Sequence, residues 1–184
     1  MKAEYQQQLL QIARDAIVQE LESPHRKWPL PEKLPAELMQ KRATFVTLTI
    51  GGRLRGCIGM LEACRPLAED VSENARAAAF EDPRFPPLTQ PDLKKLEIHI
   101  SILSSSEEMA FSSEDDLLRQ IRPDVDGLIL QEGFRRGTFL PSVWEDLPEK
   151  ELFLTHLKLK AGLPADYWSD TLRVFRYTTD CFSA

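Results

Sequence analysis

The chain has 184 residues, 23 of them Lys or Arg and 29 Asp or Glu, which gives a formal net charge of −6 at pH 7. This acidic balance argues against sequence-independent binding to nucleic acid or to an anionic membrane surface, because both need a cationic protein surface. No segment approaches the roughly 18 apolar residues of a membrane span, and the opening MKAEYQQQLL lacks the apolar core of a secretory signal. We therefore expect a soluble cytoplasmic protein.

The cysteines and histidines predict neither a disulfide framework nor a metal site. The three cysteines are odd in number and unevenly spaced, and a chain of this length can build a core without covalent staples. The three histidines are scattered, and no CxxC pair accompanies the cysteines. We predict no bound metal and no cofactor. These residues are Cys57, Cys64, Cys181, His25, His99 and His156.

The first third of the chain reads as a helix, a proline-rich loop and a hairpin. Apolar residues at helical spacing predict an opening helix that ends near Ser23. Prolines between positions 24 and 35 then interrupt regular structure, and Trp28 among them is a candidate anchor to the core. From Thr44 the residues alternate as in a strand until Gly51 and Gly52, whose positive φ preference suits a tight hairpin turn. The return strand carries Leu54 to Gly59.

A helix and a third strand follow the hairpin. Leu67, Val71 and three later alanines recur at helical spacing, and the helix should stop at Asp82 because Pro83 disfavours helical backbone in its predecessor. Positions 84 to 87 then continue as a stiff exposed path. From Leu96 to Leu103 alternation returns and predicts a strand of an antiparallel sheet.

The second half of the chain repeats this mixture of strands and helices. Ser113 predicts the cap of a short helix. Gly127 to Gln131 and Phe134 to Leu140 predict a second hairpin, whose return strand carries Arg135 and Arg136. Helical character extends from Glu149 to Ala161, and Leu172 to Tyr177 is the expected last strand. Short connections and hairpin turns favour an α+β fold with a largely antiparallel sheet and packed helices.

The strand after the first hairpin contains the leading candidate for chemistry. A period of two places Arg55 and Cys57 on one face and Leu54, Gly56 and Ile58 on the other. An adjacent guanidinium favours the reactive thiolate, and glycines allow a ligand to approach closely. The structural alternative makes Cys57 a small buried hydrophobe, has the glycines accommodate a crossing helix, and leaves Arg55 as a solvated charge.

A set of arginines provides a second candidate, because guanidinium groups match carboxylates and phosphates in a bidentate fashion. If these arginines converged they would form an anion site, with Asp82 orienting one of them. The alternative is that arginines at strand edges discourage aggregation and pair with acidic residues. Neither a GxSxG elbow nor a phosphate-loop run is present. The set comprises Arg53, Arg55, Arg84, Arg135 and Arg136.

The chain resembles the AMMECR domain family, also called AmmeMemoRadiSam system protein A, over most of its length. The resemblance rests on LRGCIG at 54–59, AAAFEDPRFPPL at 77–88, ISILS at 100–104, GTFLPSVWE at 137–145 and KAGLPADYW at 160–168. It implies a single domain over residues 1–184, with a larger and a smaller lobe around a cleft. It also makes Arg55, Gly56, Cys57 and Gly59 the leading functional candidates at that cleft.

The family resemblance implies partners, a Memo-like protein and a radical-SAM enzyme, but no assigned reaction. One hypothesis is a binding module that holds an anionic small molecule or protein segment through Arg55, Arg84 and Arg135, so that Cys57→Ser has little effect. The second is an enzyme in which Cys57 is a nucleophile or redox centre, although a general base is missing and only His99 is a histidine on a strand. The third is an interaction scaffold.

Overall fold

A computed structural model describes residues 1–24 and 29–184, so the expected anchoring by Trp28 lies outside the described residues. Two compact units form, one from Met1–Leu103 with Asp180–Ala184 and the other from Ser104–Thr179; we call them the first and the second unit. In chain order the elements are α1 (Ala3–Glu22), β1 (Thr44–Ile50), β2 (Arg53–Gly59), α2 (Leu67–Phe80), α3 (Gln90–Leu93), β3 (Leu96–Leu103), β4 (Glu107–Glu108), α4 (Glu114–Gln120), β5 (Gly127–Glu132), β6 (Arg135–Phe139), α5 (Lys150–Lys160), β7 (Arg173–Tyr177) and β8 (Thr179–Ser183), with 3₁₀ turns at Ala36–Met39 and Pro141–Glu145.

The sheet of the first unit has the strand order β2-β1-β3-β8, and β1 pairs antiparallel with both β2 and β3. Apolar residues at alternate positions of β1 and β3 face α1 and α2, so one side of the sheet is core and the other is not. Small side chains on α2, such as Ala75 and Ala78, let this helix approach the strands closely. The unit is thus a two-layer structure, as expected for an α+β fold.

The first hairpin forms as the sequence predicts, with φ of +58° at Gly51 and +74° at Gly52. Its ladder contains one irregularity, because Leu48 pairs with Gly56 whereas Thr49 pairs with Leu54. Arg55 is therefore the extra residue of a β-bulge. Cross-strand partners share a face, so Leu54 lies on the side of Thr49, and the predicted common face for Leu54 and Gly56 is wrong.

The sheet of the second unit has the order β4-β7-β5-β6 and is antiparallel throughout. Its core is centred on Trp144 and Phe153, whose rings stack with centroids 3.7 Å apart. Helices α4 and α5 contribute Leu117, Leu154 and Leu157 to the same core. The strand that ends at Tyr177 was expected to be the last, which is wrong, because β8 follows it and joins the first sheet. The α+β class itself is confirmed.

Among the described residues, none of the helices combines the length and apolar character needed to cross a lipid bilayer.

Candidate functional site

Strand β2 is an edge strand, and the loop after α2 covers its outer edge beside Cys57. The backbone N–H of Cys57 donates to Asp82 Oδ2 at 2.9 Å, and Arg84 Nη2 donates to the Cys57 carbonyl at 3.3 Å. An edge strand otherwise leaves such groups to water or to another chain. We call Asp82 and Arg84 together the clamp, since their two side chains hold both backbone polar groups of one residue.

The clamp is itself a forked ion pair. Arg84 donates from Nε to Asp82 Oδ1 at 2.9 Å and from Nη2 to Oδ2 at 2.7 Å, and its backbone N–H donates to Oδ1 at 3.1 Å. The Asp82 side chain is only 2% exposed, whereas that of Arg84 is 54% exposed. Hydrogen bonds from Arg84, and then the one from the Cys57 amide, lower the pKa of Asp82 well below its ordinary value despite its burial.

The local sequence explains why the clamp forms. Helix α2 ends at Phe80, before Pro83, which cannot supply a backbone N–H to continue it. The chain then makes a turn in which the N–H of Phe85 bonds to the Asp82 carbonyl at 3.1 Å. This turn brings the side chain of Arg84 back onto Asp82, two residues earlier.

The side chain of Cys57 is half-buried and lies on the sheet face opposite α1 and α2. Its Sγ is 3.0 Å from Oγ1 of Thr47, the residue directly across on β1. Thr47 also pairs with His99 on β3, so Cys57, Thr47 and His99 form one row across three strands. His99 Nε2 is 3.2 Å from Thr49 Oγ1. The sequence alone could not place His99 relative to Cys57, and the register puts both on one face.

Arg55 does not join Cys57 in the way that simple alternation predicts, because the bulge interrupts the period of two. Its guanidinium donates from Nη1 to the Pro86 carbonyl at 2.8 Å and from Nη2 to the Pro87 carbonyl at 3.2 Å, with Asp92 Oδ2 at 3.4 Å. Arg55 thus attaches the proline segment to the edge of the sheet, while the clamp attaches its beginning. Together these contacts fix the loop from Asp82 to Pro87 beside β2.

The two glycines of the hexapeptide have close backbone neighbours. A Cβ on Gly56 would overlap the Ala78 carbonyl of α2, and one on Gly59 would overlap Thr44 and the Phe45 ring. These contacts give both glycines a packing role, and for Gly56 it is the role that the structural alternative assigns to it. A ligand contact at Gly56 or Gly59 stays a prediction.

Of the remaining predicted arginines, Arg53 begins β2 and is exposed, whereas Arg135 and Arg136 belong to the second unit. Arg135 and Arg136 lie on β6, exposed, and Arg135 Nη1 donates to the Gly162 carbonyl at 2.9 Å. The prediction that these arginines converge with Cys57 stays a prediction. Among residues 1–24 and 29–184, no group of three His, Cys, Asp or Glu side chains is placed to hold a metal ion.

Sequence reasoning missed a buried polar network below the hairpin. Asp70 on α2 accepts from the backbone N–H and hydroxyl of Thr44 at 2.9 and 2.6 Å, from Asn74 at 2.9 Å and from Arg65 Nε and Nη2 at 3.1 and 2.8 Å. Its side chain is almost completely buried. Since every oxygen is bonded, the network is a structural tie between α2 and β1. An aspartate among apolar and alanine positions on α2 was the available signal.

The fold and the site together define a two-unit α+β protein with a braced cysteine on an edge strand. The profile of the AMMECR1 family matches residues 10–182, and this chain belongs to that family. A protein of Methanothermobacter thermautotrophicus is 39% identical over 176 residues, covering 95% of this chain and 91% of its own length. A protein of Thermotoga maritima is 41% identical over 152 residues, covering 81% and 82%.

A solved structure matches the whole fold. The crystal structure of an uncharacterised protein from Pyrococcus horikoshii superposes with a TM-score of 0.93 at 33% identity, covering 100% of this chain and 93% of that one. The family membership predicted from the motifs is thus confirmed.

Proposed function

We propose that this AMMECR1-family protein is a binding module that recognises an anionic small molecule or protein segment at the surface around Cys57 and Arg84. We further propose that it acts with a Memo-like protein and a radical-SAM enzyme. The support for these partners is the family resemblance. The single observation that carries the recognition site is the clamp, which fixes a half-exposed guanidinium next to a half-buried thiol.

The geometry of Arg84 suits an anion. Two of its donors are committed to Asp82, which fixes the plane of the guanidinium, while Nη1 has no hydrogen-bond partner among the residues that the structure describes. A guanidinium held in this way can donate to a carboxylate or phosphate oxygen with little further loss of side-chain freedom. Asp82 thereby acts as a positioning residue for Arg84.

The proposal assigns different tasks to the other predicted residues. Arg55 is committed to the carbonyl groups of Pro86 and Pro87, so we assign it to positioning the loop and not to the anion. Cys57 contributes its thiol and Thr47 its hydroxyl to the surface beside Arg84. On this account Cys57→Ser keeps binding nearly intact, because a hydroxyl of similar size replaces the thiol.

Two alkylating reagents of opposite character test the recognition of anions directly. In a Cys64→Ser, Cys181→Ser background, the Cys57 thiolate displaces iodide from iodoacetate, which is anionic, or from iodoacetamide, which is neutral. The ratio of the two rates cancels changes in the intrinsic reactivity of the thiol. We expect Arg84→Gln to lower the iodoacetate to iodoacetamide ratio about fivefold, the effect of about 1 kcal/mol for one charge at 4 Å in water.

Two controls separate recognition from simple charge. Arg53→Gln removes an exposed arginine of β2, the strand that carries Cys57, and should leave the ratio of the iodoacetate and iodoacetamide rates unchanged. The Asp82→Asn, Arg84→Gln double variant removes both charges of the clamp. If Arg84 donates to the anion, the double variant keeps a lowered ratio; a ratio restored to the wild-type value would mean that Arg84 only cancels Asp82 and would refute the proposal. Arg135→Gln and Arg136→Gln in the same assay test the predicted convergence.

A second candidate function is thiol-dependent catalysis, and the position of His99 favours it. Cys57 and His99 are two strands apart on one face, roughly 10 Å between backbones, and the thiol contacts Thr47 whereas the imidazole contacts Thr49. A molecule lying across Thr47 could meet both groups, with Cys57 as nucleophile and His99 as the group that gives or takes the proton.

The two functions differ in what His99 does. Catalysis predicts that His99→Gln removes turnover of a bound electrophile while leaving its binding intact, and that Cys57→Ser abolishes turnover. The binding module predicts that neither variant changes the affinity for an anion by more than about twofold. Isothermal titration of the purified variants with the same anion, alongside the alkylation rates, distinguishes these outcomes.

A further inference from the structure

The second unit contains a separate cavity of about 440 Å³ that none of the motifs described above includes. Its walls come from the segment before β4, from β4 itself, from Arg122 shortly after α4, and from the end of β7 with the residue that follows it. The lining residues are Ser104, Ser105, Glu107, Arg122, Arg176, Tyr177 and Thr178. A cavity of this size is in the range of small-molecule sites.

One wall of the cavity is the guanidinium of Arg122, whose orientation is fixed by a buried carboxylate. Arg122 donates from Nε and Nη2 to Asp126 Oδ1 at 3.0 and 2.6 Å, and its backbone N–H donates to Oδ2 at 2.9 Å. Asp126 is completely buried, whereas the Arg122 side chain is 52% exposed. Nη1 of Arg122 has no hydrogen-bond partner within the described part of the chain. The arrangement of a buried carboxylate orienting a half-exposed arginine is the same as in the clamp.

The second cationic group of the lining, Arg176, has only a weak ion pair. Arg176 Nε lies 3.8 Å from Glu107 Oε2, which is beyond hydrogen-bond distance, and the Glu107 side chain is 75% exposed. A pair of this kind contributes little in water. An anion between the two arginines could therefore replace Glu107 as the partner of Arg176 at small cost. The lining residues carry two positive charges and one negative charge.

Hydroxyl groups complete a lining that is rich in donors. Ser105 Oγ and Thr178 Oγ1 make no hydrogen bonds within residues 1–24 and 29–184, whereas Ser104 Oγ accepts from the Thr178 backbone N–H at 2.9 Å. The Tyr177 hydroxyl donates to the Phe139 carbonyl at 3.1 Å and the residue is only 2% exposed, so Tyr177 closes the wall without adding a free donor. Two guanidinium groups and two available hydroxyls suit a tetrahedral oxyanion, which accepts hydrogen bonds from several directions.

We propose that this cavity is a binding site for a phosphate group, either the free ion or a phosphomonoester, held between Arg122 and Arg176. The site is distinct in its residues from the surface around Cys57. It does not depend on the proposed function, since a negative result at either place leaves the other standing. Glu107 acts as the competing carboxylate that the phosphate displaces.

Titration of the ¹⁵N-labelled protein by NMR tests this site, with ribose 5-phosphate and inorganic phosphate as probes at constant ionic strength. The indole N–H of Trp144 donates to the Asp126 carbonyl at 2.8 Å and is a reporter directly behind Arg122. We expect saturable shifts at this indole and around β7 with at least one probe; tighter binding of ribose 5-phosphate would identify a phosphomonoester as the ligand class, and equal or tighter binding of inorganic phosphate would identify the free ion. No saturable shift with either probe would overturn the proposal.

Two variants should change the affinity for the phosphate probes in opposite directions. Arg122→Gln would leave Asp126 buried without its partner and risks unfolding, so Arg176→Gln is the primary variant and should weaken binding about tenfold or more. Glu107→Gln removes the competing carboxylate and should tighten binding. Arg173→Gln, on the same strand but paired with Glu108, is the matched control and should bind as wild type does. Identical titration curves for wild type and Arg176→Gln would overturn the proposal.

Discussion

Asp82 accepts the backbone N–H of Cys57 at 2.9 Å, so a buried carboxylate of the loop after α2 takes the place that a neighbouring strand would have at the edge of the sheet. Its partner Arg84 holds the carbonyl of the same residue. Both backbone polar groups of Cys57 are consequently held by the clamp, on the edge of β2 that faces away from β1. Its side chain is presented on a rigid element, which is the arrangement that precise binding sites require.

The clamp makes stability depend on pH in a predictable direction. The pKa of Asp82 is lowered in the folded state, chiefly by hydrogen bonds from Arg84, relative to about 3.9 in an unfolded chain. Its stabilisation is therefore complete above about pH 5 and is lost progressively as the pH falls from the unfolded value toward the lower folded one. We expect Asp82→Asn to cost about 2 kcal/mol at pH 7.

The comparison across pH is what tests this account. Protonated aspartate resembles asparagine, so the difference in free energy of unfolding between wild type and Asp82→Asn should shrink as the pH approaches 3. Urea unfolding at pH 7, 5, 4 and 3 measures it. A difference that stays constant with pH would show that the charge of Asp82 contributes nothing to the clamp.

Arg55 should control the order of the proline segment. Removing its guanidinium in Arg55→Ala leaves the carbonyl groups of Pro86 and Pro87 to water and frees the loop from the sheet edge. We expect faster amide exchange at Phe85 and Leu88 and faster tryptic cleavage after Arg84. Arg53→Ala is the matched control on the same strand, and equal exchange in both variants would argue against the bracing role.

Gly56 should tolerate no side chain. A Cβ there would overlap the backbone carbonyl of Ala78, which cannot rotate away, so α2 would have to move from the sheet. We expect Gly56→Ala to lower the free energy of unfolding by about 2 to 3 kcal/mol. Leu54→Ala, at a 43% exposed position of the same strand, should change it by less than about 1 kcal/mol. Similar urea midpoints for the two variants would contradict the close packing.

Asp70 should be essential to the joint between α2 and β1. Asp70→Asn removes a charge that accepts hydrogen bonds from Thr44, Asn74 and Arg65 in a buried position, and we expect a loss of about 3 kcal/mol or more. Glu69→Gln, at the exposed neighbouring position, should be within about 0.5 kcal/mol of wild type. Thermal unfolding of both variants measures the contrast, and comparable losses would rule out the network as a specific tie.

The sequence predicts those features of the fold that depend on residues close together along the chain. The glycine pair fixes the first hairpin because both positions need positive φ, and the alternation from Leu96 to Leu103 gives β3 with its observed ends. Pro83 sets the region in which α2 stops. The family motifs identify the family because their order and spacing are properties of the chain itself. Each of these signals is local.

The remaining features depend on contacts between distant residues. The bulge at Arg55 is set by the pairing of β2 with β1, and the alternation within β2 gives no sign of it. The row that joins Cys57 to His99 needs the register of three strands. Strand β4 has two residues, which is too short for a pattern, and β8 forms only by joining a sheet built much earlier in the chain.

The most direct test of the proposed binding module is protection of Cys57 by its partners. In the Cys64→Ser, Cys181→Ser background, the rate of Cys57 alkylation by iodoacetamide is measured alone and with the purified Memo-like protein or radical-SAM enzyme from the same organism, with complex formation followed by analytical ultracentrifugation. The account predicts a complex in which alkylation of Cys57 slows at least tenfold while Cys64, in a Cys57→Ser protein, reacts as before. A complex that leaves the Cys57 rate unchanged, or no complex with either protein, would contradict it.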